Sequence, residues 1–541
     1  MALPDPILNP GAYQRHLYTS TFRASVAAGE ARPLVIPYSL AGVFILPVLY
    51  LCIPHKRRPW LHHMRYAILA AMVFLNAHLL LRTSSTNMAG AYATGLAAAW
   101  GIVWGSTLLL FMRPQFDAAR VARRRKKRKH SDEYSSETIR RGQENGHMPA
   151  YRPGEKSSGG GQVAPDESVA AALIEYEYYW QSYPENGSFL ERLDWSMDLA
   201  TAFRGSGWNW TIQSIPHFKR PENPGSGESV QLDSIPLSTR AGYTRYATYR
   251  SFLLNRLWHI GWGYIVLDFS SVMMMKDPYF IFGPETTHPL PPYLTSLSPW
   301  VLEVYRSAIT LAGVLGALFM IMSFDHVIRC VVLGTRTLGV HGELWHYPSL
   351  FGSFDCVLDR GLPGLWGGWW HQSFRVAFVA PTLWLVKRGY LAGDHRSPIP
   401  RLVAVFIALL QSGLLHAAGG VSAIPNTTKA WTPVAFFMLS FVGIVVQQAW
   451  CRAFQGQIQS LPRGWRRAGN LIFVTLWLHF TRWGLIDDMC RAGLFLFEPI
   501  PASPLRAMGF GRPGDSWWRW DRDHFPFWYT GEHWWESGIG I

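Results

Sequence analysis

Nine apolar stretches, most of them long enough to cross a bilayer as a helix, set the first limit on what this chain of 541 residues can fold into. A hydrocarbon layer roughly 30 Å thick is spanned by about 20 apolar residues in a helix, because lipid offers no partner to an open backbone N–H or C=O. The stretches cover about 34–53, 66–81, 91–112, 252–272, 308–323, 374–386, 402–418, 434–450 and 471–486. The sixth, Phe374 to Val386, is short for a full crossing and reads as re-entrant or tilted. The fold expected is therefore all-α: a polytopic helical membrane protein with about 8–9 transmembrane or re-entrant helices and a large cytosolic loop. The first thirty residues are mixed polar, so no cleavable signal peptide is expected.

Composition supports this class. Only 16% of residues are charged, against roughly 25% in soluble domains, and 26 are Trp. Mean hydropathy is nonetheless only +0.04, so long polar segments must dilute the apolar ones. Trp and Tyr favour the membrane–water boundary, where an apolar ring meets a polar edge. Net charge is +14, and the seven residues Arg123 to Lys129 supply half of it. Beside several spans this run reads as a cytosolic topology anchor near anionic lipid, and no nucleic-acid partner is expected.

The basic linker His55 to Arg58, the neutral linker Arg82 to Gly90 and the polybasic run alternate. That places the first and third in the cytosol and the N-terminus in the lumen. Lys387 to Arg401 and Arg463 to Arg467 are also basic; both return to the cytosol if the sixth stretch is re-entrant. The glycosylation acceptor Asn426-Thr427-Thr428 is then lumenal. The five cysteines form no CxxC and are odd in number, so neither a disulfide framework nor a metal site is expected.

Composition shifts divide the chain into N-terminal transmembrane helices (1–114), a disordered basic linker (115–167), a third region rich in aromatic and apolar segments (168–490) and a Trp-rich interfacial tail (491–541). Two segments of the third region carry candidate chemistry. One is Leu365-Trp366-Gly367-Gly368-Trp369-Trp370-His371-Gln372-Ser373-Phe374-Arg375, at the mouth of the sixth stretch. The other is Gln411-Ser412-Gly413-Leu414-Leu415-His416-Ala417-Ala418-Gly419-Gly420, in the seventh. A titratable group in an apolar helix is costly and needs a partner or a function. Burial keeps the imidazole of His416 neutral, the form a general base requires, and small neighbours leave room beside it. A histidine bonded to a neighbouring carbonyl fits the same sequence. His371, among Trp366, Trp369 and Trp370, is either a second polar group at the substrate or an interfacial histidine. His259 and His479 read as histidines packed against partner helices. The chain has no GxSxG, P-loop or HExxH.

The Trp-Gly-x-x-Trp-His-Gln segment, followed at 45 residues by the Ser-Gly-Leu-Leu-His helix, resembles the wax synthase-like branch of the membrane-bound O-acyltransferases. Arg204-Gly205-x-Gly207-Trp208 and Trp345-His346-Tyr347-Pro348-Ser349-Leu350-Phe351-Gly352 resemble further elements of that branch, over roughly residues 170–490. The likeness is greatest to fungal members, several of which acetylate terpenoid and meroterpenoid hydroxyls.

The resemblance implies an acyl-CoA-dependent O-acyltransferase, with acetyl favoured. His416 and His371 would be its catalytic pair, and Trp370, Gln372, Ser412, Arg375 and Trp366 would meet substrate. It implies acetyl-CoA or a longer acyl-CoA as co-substrate with no bound cofactor, a hydrophobic alcohol as acceptor, and the endoplasmic reticulum as location. At Gly368 and Trp369 the family commonly has two arginines, which bears on donor affinity; Gln447 and Gln448 stand where many relatives carry Glu. A long-chain wax ester synthase and a non-catalytic transporter or scaffold are the alternative readings. No inverted repeat supports a transporter.

Overall fold

The protein is described by a computed structural model, which places residue 7 and residues 9–126, 176–221, 227–394, 397–424 and 427–541. Twelve helices carry the argument: α1 Pro10–Ala27, α2 Leu46–Leu51, α3 Arg65–Arg82, α4 Met88–Ser106, α5 Phe189–Thr201, α6 Tyr249–Met274, α7 Pro299–Val327, α8 Asp355–Arg360, α9 Arg375–Lys387, α10 Pro398–Val421, α11 Trp431–Ala453 and α12 Arg463–Thr481. Local chemistry starts several of them. Asn9 and Asn87 each accept a first-turn backbone N–H, and Ser188 and Glu191 form a reciprocal capping box on α5.

Five helices are long and apolar enough to cross a membrane: Pro59–Arg82, Met88–Phe111, Pro299–Gly342, Pro398–Val421 and Trp431–Ala453. The protein is a mainly helical membrane protein. α9 has 13 residues and interrupts its own ladder at Pro381. At 1.5 Å per residue it covers only about 20 Å, less than a bilayer core.

Two expectations need correction. The first apolar stretch, 34–53, becomes a helix only over Tyr38–Leu51. Val35 and Ile36 (β1) are instead drawn into a sheet, and Pro37 separates that strand from the helix. The basic linker does not begin at 115: Pro114–Asp117 is a turn of helix, and Ala119–Arg125 is strand β2. β2 pairs antiparallel with β3, Tyr176–Ser182, which pairs with β4, Ser229–Val230. Four arginines among its seven residues hid the strand, whose burial runs from a buried start to an exposed end instead of alternating. Ala119, Arg120 and Val121 are buried. Residues 127–175 lie outside those described, as does Asn426 of the glycosylation signal.

Small residues set the helix crossings, as expected where backbones must approach closely in lipid. A Cβ on Gly95 of α4 would fall 1.9 Å from the Ala418 carbonyl oxygen of α10. A Cβ on Gly413 would fall 2.7 Å from Val434 Cα of α11, and one on Gly263 of α6 would fall 2.8 Å from the Gly316 oxygen of α7. An aromatic core, with Trp100, Trp104, Trp195, Trp208 and Phe378, joins α4, α5 and α9 beneath the polar segments. His259 packs on Phe319 of α7, and His479 lies between Trp300 and Glu303, both as partner-helix histidines. The C-terminal strands β5 (Phe527–Tyr529) and β6 (Gly538–Gly540) pair with each other, and β6 returns to β1. All five cysteines are free.

Candidate active site

His371 is presented by a turn rather than by a long helix. α8 ends at Gly361, whose φ of +62° and whose contact with Gln447 leave no room for a side chain. Gln447 Oε1 accepts from the Leu362 N–H at 2.9 Å, and its Nε2 donates to Asn470 Oδ1 at 2.9 Å. The next turn, Leu365–Trp369, is a wide helical turn that releases the chain at Trp370. Gln372 closes it by donating to the Trp366 and Trp370 carbonyls at 3.0 and 2.6 Å. Arg375 donates to Gln372 Oε1 at 2.8 Å and to the Gly367 carbonyl at 2.9 Å. Tyr243 donates its hydroxyl to the Trp370 carbonyl at 3.0 Å. Gln372 and Arg375 thus brace the turn. His371 Nδ1 is sealed from solvent and has no hydrogen-bond partner.

His416 sits on α10, between the Gly413 contact with α11 and the Gly95 contact with Ala418. Its ring stacks on Phe437 of α11 at 5.4 Å and 14°. Tyr92 of α4 lies with its hydroxyl 3.2 Å from both Nδ1 and the backbone carbonyl oxygen of His416. If the hydroxyl donates to the carbonyl, Nδ1 carries the ring proton and donates to the tyrosine oxygen, leaving the Nε2 lone pair free. Nε2 has no partner among the described residues, and it is not sealed from solvent.

One aromatic wall joins the two histidines. Phe437 packs on Trp366 at 5.5 Å, Trp366 on Trp370 at 5.9 Å, and Trp370 on His371 at 5.3 Å. Both rings are half-buried, as are Trp366, Trp370 and Ser412. Trp366 Nε1 is a further sealed donor without a partner. Burial lowers His371 to about 4, helped by the Arg204 guanidinium and by His416.

Sequence reading did not give a role to Tyr92, Arg204, Gln447 or Asp488. Tyr92 lies 324 residues from His416 in sequence, and nothing local signals their meeting. Arg204, in the Arg-Gly-x-Gly-Trp element, donates to the Ser349 carbonyl at 2.9 Å and lies over the Tyr243 ring. It forms no ion pair among the described residues, and burial pulls it down to about 10. Asp488 accepts from the Lys429 N–H at 3.0 Å while its other oxygen, sealed and unpartnered, faces Gly420. Among the described residues no cluster of three or more His, Cys, Asp or Glu side chains could hold a metal. A shallow cleft lined by Tyr50, His55, His62, Arg65 and Phe116 includes neither His371 nor His416.

Residues 347–439, which carry both histidines and the wall between them, match the model of the Membrane bound O-acyl transferase family. Over this segment, 347–439, the chain is similar to that family. The chain is 24% identical over 307 residues to "Acetyltransferase pyr8" of Aspergillus fumigatus, covering 55% of this chain and 64% of that protein. It is 24% identical over 276 residues to "Acetyltransferase ple2" of Rhodocybe pseudopiperita, covering 50% and 60%. "Acetyltransferase cdmC" of Talaromyces verruculosus matches over 308 residues, again at 24%, covering 53% and 68%. The matches thus span about three fifths of the first two relatives' length. No solved structure matches the chain.

Proposed function

We propose that this membrane-bound O-acyltransferase relative moves an acetyl group from acetyl-CoA to a hydroxyl of a terpenoid or meroterpenoid intermediate in secondary metabolism, in the endoplasmic reticulum membrane. The observation that carries the reading is His416. It is an imidazole inside an apolar helix whose Nδ1 is engaged by Tyr92 and whose Nε2 is left open. In the proposed reaction, Nε2 takes the proton of the acceptor hydroxyl as that oxygen attacks the thioester carbonyl. The C–O bond forms, the C–S bond breaks, and the proton passes from His416 to the departing thiolate. His371 donates to the carbonyl oxygen as negative charge gathers there. Trp366 and Trp370 of the aromatic wall, with Ser412 one turn before His416, would meet the acceptor, and the aromatic faces suit a polycyclic apolar one. The named relatives, all called acetyltransferases, favour acetyl over a long chain.

The test is to supply membranes containing the protein with acetyl-CoA or palmitoyl-CoA and a panel of sterol-like, terpenoid and fatty alcohols. Acetyl ester formation that disappears in His416→Ala is expected. Ester formation surviving that substitution rejects His416 as the base, and preference for palmitoyl-CoA with fatty alcohols turns the assignment to a wax ester synthase.

A further inference from the structure

Asp488 is a buried carboxylate that uses only one of its oxygens. It lies in the short helix Ile486–Arg491 and is 1% exposed. Its Oδ1 accepts from the Lys429 N–H at 3.0 Å and from the Thr432 hydroxyl at 3.3 Å, which ties the start of α11 to this helix. Oδ2 is sealed and has no partner among the described residues. The nearby cations are engaged elsewhere: Arg491 pairs with Glu285 at 2.6 Å, and so does Lys429 at 3.7 Å. Burial raises the Asp488 carboxyl above its ordinary value, and the Lys429 N–H, Thr432 and Arg491 oppose the rise. A buried, unbonded carboxylate oxygen is costly, and the tie to α11 needs only the other one.

The open oxygen meets the same turn as the candidate base. His416, Gly419 and Gly420 share one face of α10, being three and four residues apart. A Cβ on Gly419 would fall 2.7 Å from the Tyr92 ring, and one on Gly420 would fall 2.9 Å from Asp488 Oδ2. Two missing side chains thus admit a phenol and a carboxylate to adjacent positions, with the phenol hydroxyl 3.2 Å from His416 Nδ1. The carboxylate is near enough for its charge to act on Tyr92. The other groups are Phe437 and His371 around the His416 ring, and Asp487, bonded by Tyr279 and paired with Arg482, beside Asp488.

We propose that Asp488 is a positioning residue for His416 and acts through Tyr92. This rests on the acyl-transfer reading. A negative charge beside the phenol turns the hydroxyl hydrogen away from Nδ1. The hydroxyl oxygen then accepts from Nδ1–H, which leaves the lone pair on Nε2, the nitrogen that takes the acceptor's proton. A hydroxyl turned the other way would donate to Nδ1 and put the ring proton on Nε2, where no base is left. The same charge stabilises the imidazolium that forms while His416 holds the acceptor's proton. No proton leaves Tyr92 or reaches Asp488 in the step.

The experiment uses the full chain in lipid nanodiscs, with acetyl-CoA and the alcohol of the panel that is esterified fastest. Asp488→Asn keeps an oxygen for Lys429 and Thr432 and removes the charge. We expect kcat to fall about tenfold with KM for both substrates unchanged. The acid limb of the kcat/KM profile moves to lower pH, because the imidazolium has lost its negative neighbour. In Tyr92→Phe the same substitution has no further effect on either quantity. Equal falls in both backgrounds, or an unmoved acid limb, mark a structural role and overturn the proposal. Asp488→Ser, which keeps an acceptor in less volume, is read the same way where Asp488→Asn does not fold. Nitrogen NMR of the chain labelled at its histidine rings reads the tautomer without turnover, the His416 signals being those lost in His416→Ala. A wild-type ring protonated at Nδ1 that shifts toward Nε2 in Asp488→Asn supports the coupling. A ring already protonated at Nε2 in the wild type, or one unchanged by the substitution, overturns it. Wild-type protein that esterifies no alcohol yet shows this tautomer shift rejects the transferase reading and keeps the coupling of Asp488 to His416.

Discussion

At the residue scale, the decisive feature is the division of labour around His416. A titratable ring in an apolar helix needs a partner or a function, and here Tyr92 engages only one of its two nitrogens. His416→Ala is expected to lower kcat by about 10²–10⁴-fold, the usual contribution of a positioned base, with the melting temperature little changed. Tyr92→Phe keeps the ring and removes the hydroxyl. We expect a fall in kcat on the order of tenfold with KM unchanged, read from initial rates at saturating donor. A larger change in KM than in kcat would place Tyr92 in acceptor binding instead. Because burial holds His371 near 4, it gains a proton only as pH falls through about 4. Transfer should therefore show no loss near pH 6.5 that vanishes in His371→Gln, and such a loss would contradict the buried, neutral assignment.

At the element scale, the site depends on how closely three helices approach. α4 supplies Tyr92, α10 supplies His416 and α11 supplies Phe437, and the spacing between α4 and α10 is set by Gly95 against the Ala418 carbonyl. Gly95→Ala puts a methyl 1.9 Å from that oxygen, so the helices must part. The expected cost is about 1–3 kcal/mol, seen as a lower melting temperature, together with loss of activity as Tyr92 leaves His416. Gly469, with open space around it, is the control: Gly469→Ala should leave both properties intact. The turn bearing His371 is held by side chains from distant elements, Gln447 from α11 and Tyr243 from the polar segment before α6. That explains Gln447: it uses both ends of its amide to join the α8 turn to α12.

At the scale of the whole molecule, the N-terminal helix and the tail are locked by a buried charge cluster. Glu498, 1% exposed, meets Arg15 at 3.5 Å, Arg506 at 3.2 Å and Arg519 at 2.7 Å. Burial by itself would raise the Glu498 carboxyl, but the three guanidinium groups outweigh it and hold the group below its ordinary value. With a folded pKa below the unfolded one, its contribution is full above about pH 4.5 and is lost as pH falls through the folded value. Glu498→Gln takes the paired carboxylate from Arg15 and leaves Arg506 and Arg519 to Asp515, at 3.5 and 3.8 Å. We expect a loss of about 3–5 kcal/mol at pH 7, shrinking in acid, measured by thermal unfolding in detergent at a series of pH values. A pH-independent loss would assign the effect to packing.

Membrane residence, the basic segments and the two histidines follow from order along the chain. Lipid penalises open backbone and buried charge so heavily that long apolar runs, and a lone imidazole within one of them, stand out without any tertiary knowledge. Arg120 to Arg125 misled because a strand this rich in arginine has the composition of a disordered linker; pairing with Tyr176 to Ser182 is what separates the two. Tyr92 beside His416, Arg360 against Gly368 and the Glu498 cluster come from residues 324, 8 and as many as 483 positions apart. Even the shortest of these depends on a turn whose shape is set by Gln447 and Gln372. Such meetings are decided by close backbone packing at a few glycines, a property of how helices settle against one another rather than of any local pattern.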